Sequence, residues 1–81
     1  METRIAIIGI IVEDADATDT INRLLHDYGS YIIGRMGIPY RSRSVYIISI
    51  VLDAPSDVIN TLAGKIGRVK GVSAKTIYSK A

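Results

Sequence analysis

The chain contains no cysteine, which removes disulfide frameworks, thiolate zinc sites, cysteine-ligated iron–sulfur clusters and thiol nucleophiles together. It has one histidine, so no second imidazole is available to complete a transition-metal site, and a nucleophile–base pair has little to draw on. Charge of one sign is also scarce. Ten Lys and Arg against eight Asp and Glu leave +2, too small an excess to imply nucleic acid without a concentrated patch. The longest apolar stretch falls short of the ~18–20 residues of a membrane span, and no charged leader precedes a cleavable apolar segment. A soluble cytoplasmic protein is expected. Phosphate loops are missing as well: Gly64-Lys65 is followed by Ile66 without the upstream glycine of a P-loop, and no G-x-G-x-x-G follows a strand. No serine stands in a G-x-S-x-G setting. With no catalytic set to assemble, the expectation is a protein that is not an enzyme and holds no metal or cofactor.

What is present is a pattern that folds. At 81 residues, 48% apolar and 22% charged, the chain is expected to form one domain over residues 1–81. Arg4 to Val12 is nearly continuous Ile, Val and Ala with one Gly, which predicts a buried strand. Ala17, Ile21, Leu24, Leu25 and Tyr28 then fall at helical steps behind Glu13, Asp14, Asp16 and Asp19, of which Asp14 or Asp16 can cap. Gly29 is read as the left-handed stop. Ser30 to Met36 predicts a second strand, Gly37 to Arg43 a connection in which Gly37 allows unusual backbone angles, and Ser44 to Leu52 a third strand. Asp53 to Asp57 predicts a helix start with Pro55 in its first turn, and Val58, Ile59, Leu62, Ala63 and Ile66 supply its apolar stripe. Gly67 or Gly71 ends this region, and Val72 to Ser79 forms a fourth strand.

The order βαββαβ with right-handed crossovers predicts an α+β, ferredoxin-like fold: a four-stranded antiparallel sheet, order 4-1-3-2, with two helices on one face. Strands one and three would be central, and they are the most apolar pair. Helices cover only one face, yet strand one carries Ile5, Ile7, Gly9 and Ile11 on one side and Ala6, Ile8, Ile10 and Val12 on the other. Strand three repeats this, with Val45, Ile47, Ser49 and Val51 against Tyr46, Ile48, Ile50 and Leu52. An apolar face left open would be a large sticky patch. The expectation is that it packs against another subunit, giving a dimer or tetramer; the bland alternative is a greasy monomer.

The residues that could carry chemistry are few. His26 beside Asp27 near a helix end reads as a dipole partner more readily than as a catalyst, and the four acids read as helix caps, since the spacing of a calcium loop is missing. The unusual stretch is Gly34 to Arg43, where Arg35, Arg41 and Arg43 gather with Tyr40 around a glycine- and proline-shaped turn. Arginine forks suit carboxylates or phosphates, so Arg35, Tyr40, Arg41 and Arg43 are the candidate contacts for a small anionic effector, a protein partner or a neighbouring subunit. The competing reading is a solvated hairpin whose arginines keep an edge strand from aggregating. Lys65, Arg68, Lys70 and Lys75 form a second loose basic group at the end of helix two, without the interleaved aromatics of a single-strand binder. Direct nucleic-acid binding is therefore not expected.

The string Gly9-Ile10-Ile11-Val12-Glu13-Asp14, then Leu24-Leu25-His26-Asp27-Tyr28-Gly29, then Ile33-Gly34-Arg35-Met36-Gly37-Ile38-Pro39-Tyr40-Arg41, resembles the small regulators of the iron-only hydrogenase system. These are a stand-alone branch related to ACT domains and to the C-terminal domain of the nickel-responsive regulator. The resemblance continues through Val45 to Asp53, Leu62 to Gly67 and Gly71 to Thr76. It implies an ACT-like regulatory domain, oligomeric through its sheets, sensing a small effector or docking on a hydrogenase-maturation or transcription partner. Two family features are not carried over. The turn Val12 to Ala17 is acidic and lacks the glycine common in ACT effector sites, and the histidines and cysteine of the nickel-responsive relatives are not matched.

Overall fold

The computed structural model describes residues 2–80, so residues 1 and 81 of the expected 1–81 domain lie outside the described residues. The elements are β1 (Arg4–Val12), α1 (Thr18–Asp27), β2 (Ile32–Tyr40), β3 (Val45–Ala54), α2 (Ser56–Gly67) and β4 (Val72–Tyr78). Short 3₁₀ turns at Ala15–Ala17, Gly29–Tyr31 and Arg41–Arg43 join them. The sheet order is β2-β3-β1-β4, all neighbours antiparallel, which is the expected ferredoxin-like order read from the other edge.

The choice of face follows from the side chains. Ala6, Ile8, Ile10 and Val12 of β1 and Ile48, Ile50, Leu52 and Ala54 of β3 are buried. Ile21 and Leu25 of α1 and Leu62 and Ile66 of α2 close over Ile8, Ile10, Ile48 and Ile50 in one cluster, while Ile59 packs on Ala6 and Ala54 in a second. Burying a branched side chain of this size is worth about 1.5–3 kcal/mol, so the packing of two helices on one face dominates the favourable side of folding. No side-chain polar atom is left buried without a partner among the described residues.

Four local expectations are corrected. Gly29 is not a left-handed stop, since among the described residues Gly71 is the glycine with positive φ; α1 ends when Tyr28 N–H donates to the Leu24 carbonyl and the chain leaves through a 3₁₀ turn. The second strand does not stop at Met36 but runs to Tyr40, because β2 has a single neighbour and an edge strand tolerates Pro39, whose missing N–H need not face a ladder. The positive φ of the hairpin lies at Ser44 (φ 55°) and not at Gly37. Pro55 sits just before α2, where its carbonyl accepts from Val58 and Ile59, and not inside the first turn. The cap expected of Asp14 or Asp16 falls to Asp14, whose side chain accepts from the Asp16 N–H at 2.9 Å.

Gly71 extends the β1–β4 ladder one step beyond the Val12–Val72 pair. Its carbonyl accepts from Glu13 N–H at 2.7 Å, its φ is +80°, and a Cβ built there would lie 2.4 Å from the Asp14 Cβ. Left-handed strain and overlap therefore act together on any side chain. Gly71→Ala is expected to lower stability by about 2–4 kcal/mol. Urea unfolding would register this as a fall in midpoint at constant slope, and an unchanged midpoint would contradict the reading.

Candidate functional site

The hairpin β2–β3 holds the four expected contact residues and separates them. In antiparallel register Arg35 pairs with Ile50 and Gly37 with Ile48, on the helix-covered side, whereas Met36 pairs with Ser49, Ile38 with Ile47 and Tyr40 with Val45, on the open side. Arg35 reaches α1, where its guanidinium donates to Asn22 Oδ1 at 2.6 Å. It ties the edge strand to the helix and lies away from the other three. Tyr40 and Arg43 line one cavity of about 390 Å³ at the end of the open face, together with Glu13, Ser73, Ile11 and Ile47. Tyr40 and Arg41 line a neighbouring cavity of about 240 Å³ with Thr18, Ser44 and Tyr46, so Tyr40 and Val45 form the wall between the two.

Glu13 and Ser73 were not among the residues expected at this site. Glu13 reads in sequence as one of the acids before a helix; in the structure its N–H donates to the Gly71 carbonyl one step beyond the last β1–β4 pair, which carries it past Ile11 on the open side. Chemically the larger cavity offers a guanidinium, a carboxylate, a phenol and a hydroxyl around an apolar floor. It can hold an anionic group against Arg43 and a hydrogen-bond donor against Glu13. Among the described residues no three His, Asp or Glu side chains come together to hold a metal ion.

The second basic group also comes apart. Lys65 lies over the Tyr28 ring, 5.2 Å from its centroid, and the Arg68 guanidinium lies beside Gly64. Lys70 lines a small hollow with Asp14 and Asp16, while Lys75 projects from β4 on the open face beside Gly9. The four cations thus form no common patch.

The open face is apolar along both central strands. Ile7 is 41% exposed where its neighbour Ile8 is fully buried, and Ile5, Ile11, Met36, Ile38, Tyr40 and Ile77 are exposed with it. No helix among the described residues is long and apolar enough to cross a membrane.

Residues 4–76 match the family model described as "TM1266-like: Iron-only hydrogenase system regulator, putative". The chain belongs to the TM1266-like family. It is similar to the uncharacterized protein TM1266 from Thermotoga maritima, with 38% identity and a TM-score of 0.93 over 98% of this chain and 100% of that one. A formyltetrahydrofolate deformylase from Pseudomonas putida KT2440 shares the fold, with 15% identity and a TM-score of 0.65 over 90% of this chain and 28% of that one. Curated proteins give no match. The string from Gly34 to Arg41 that carried the resemblance forms, in this TM1266-like chain, most of the edge strand β2 and the approach to the candidate cavities.

Within that string Gly37 has a local reason. A Cβ there would lie 2.6 Å from Tyr46 Oη and 3.2 Å from Cζ, so the Tyr46 ring crosses β2 where a side chain is missing. Gly37→Ala is expected to cost about 1 kcal/mol and to become nearly neutral on a Tyr46→Phe background, where the hydroxyl is gone. A double-mutant cycle by urea unfolding checks this; a coupling below about 0.5 kcal/mol would mean that the hydroxyl is not what the glycine makes room for.

Proposed function

We propose that this TM1266-like chain is a non-enzymatic regulatory module of the iron-only hydrogenase system that self-associates through its open sheet face and senses a small anionic effector at the Tyr40–Arg43 end of that face. The observation that carries the first part is the apolar surface itself. The exposed parts of Ile5, Ile7, Ile11, Met36, Ile38, Tyr40 and Ile77 amount to on the order of 700 Å², near the ~800 Å² that each partner contributes to a standard interface. A patch of this size on a free monomer is rare. The effector part is supported by the cavity that Tyr40 and Arg43 share with Glu13, because it opens at the rim of the same face, where a second subunit would complete its walls. In this reading Arg41 flanks the site from the neighbouring cavity, and Arg35 keeps β2 seated against α1.

Native mass spectrometry of protein purified from its own host tests both parts, since one spectrum reports subunit number and any retained mass. A dimer or tetramer is expected, and Ile7→Glu should convert it to monomer by placing a charge in the apolar contact. A wild-type monomer at micromolar concentration would sink the self-association. For the effector, Arg43→Ala should remove the retained mass while leaving the subunit number unchanged, since Arg43 is no part of the apolar patch. Retention of that mass at wild-type occupancy would remove Arg43 from the site.

A further inference from the structure

Gly9 stands in the middle of β1, on the open face, in a strand whose other open-face residues are isoleucines. Glycine in a strand interior gives up side-chain packing and adds freedom to the unfolded chain, so it marks a place where something must come close. Among the described residues nothing comes close. The φ of Gly9 is not left-handed, and a Cβ built there meets no atom within 4 Å. Gly71 and Gly37 are different, since each has an intramolecular obstacle.

The register sharpens this. The row Lys75–Gly9–Ser49–Met36 crosses the whole sheet and puts its two smallest residues side by side on the two central strands. The row on one side is Ile77–Ile7–Val51–Gly34, and on the other Ser73–Ile11–Ile47–Ile38, each branched on the two central strands. Along this row and against the second of those ridges lies a furrow of about 350 Å³, lined by Gly9, Ser49 and Lys75 and by Ser73, Ile11 and Ile47.

We infer that this furrow seats an isoleucine ridge of a second copy of the chain, making Gly9 the point of closest approach between two sheets packed face to face. The inference rests on the self-association proposed above and specifies its register. Facing sheets lie ~10 Å apart only when their side chains interdigitate. Neighbouring open-face rows are ~7 Å apart, so a copy displaced by one row places a ridge in the furrow, and the two-fold operation places its own furrow over the ridge it meets. Charge favours a copy over a foreign partner. Lys75 and Arg43 share this face or its rim with Glu13 and Asp53, an equal number of each sign and so without net repulsion against itself. A small ligand is the weaker occupant, because a furrow open along the sheet cannot bury most of a ligand's surface without a lid.

Gly9→Ala and Gly9→Val of the full chain test this, with dissociation constants from sedimentation dilution series and unfolding midpoints at concentrations where the protein is monomeric. The dissociation constant is expected to rise stepwise, roughly 10-fold for Ala and 100-fold or more for Val. The monomer midpoint should stay level or rise, since the added atoms enter free space. If Val does not fold, the Ala variant decides. Wild-type affinity in the substituted protein would overturn the register while leaving self-association standing. A small-molecule mass held by the wild type and lost from Gly9→Val at constant subunit number would overturn it in favour of a ligand. A monomeric wild type would end this inference and the self-association proposal together.

Discussion

The structure depends on the pairing of β1 with β3 in a register that puts Ile8, Ile10, Ile48, Ile50 and Leu52 on one side. Strand side chains alternate faces, so a slip by one residue would exchange this set for Ile7, Gly9, Ile11, Ile47 and Ser49. Both sets are largely apolar, and hydrophobicity alone does not distinguish them well. What separates them is shape. The buried set has branched side chains at each central position, whereas the open set has Gly9 and Ser49 side by side, which would leave a void under the helices. Ile21, Leu25, Leu62 and Ile66 pack against the complete set.

With the register in place, the ends of the sheet follow. Glu13 meets Gly71 where β1 gives way to the turn before α1, and the close approach of Asp14 admits no side chain at Gly71. At the other edge β2 is held from the helix side: Arg35 bonds Asn22, and the Tyr46 ring lies across Gly37. The hairpin closes through Arg41–Arg43 and a left-handed Ser44. Tyr40 and Arg43 thereby reach the rim of the open face, and Arg41 reaches the adjacent cavity. A regulatory site built there would use an edge hairpin anchored by the core, which gives a binding loop a rigid base.

The order βαββαβ, the sheet order and the central position of β1 and β3 were legible in the chain, because runs of branched residues and helical stripes each point to one kind of element. The end of β2 was not. Pro39 and Gly37 read as breakers, yet an edge strand needs only half its backbone bonds and can carry both. Gly29 read as a helix stop for the same reason of residue type, while the turn into β2 used Tyr28 and Tyr31 N–H groups instead. The candidate contacts were legible as a cluster in sequence and not in space, since alternation along β2 sends Arg35 and Tyr40 to opposite faces.

Sequence by itself determined that this chain has two amphipathic helices, a two-sided apolar pair of strands and an arginine- and tyrosine-bearing hairpin, and its motifs carried the family resemblance. These are properties of local periodicity and residue type. Tertiary structure alone decided which strand face the helices cover, where Glu13 and Ser73 come to lie, how the four hairpin residues divide and why Gly9 differs from Gly37 and Gly71. Each of these depends on contacts between residues distant in the chain, and periodicity gives the spacing of side chains without saying what they meet.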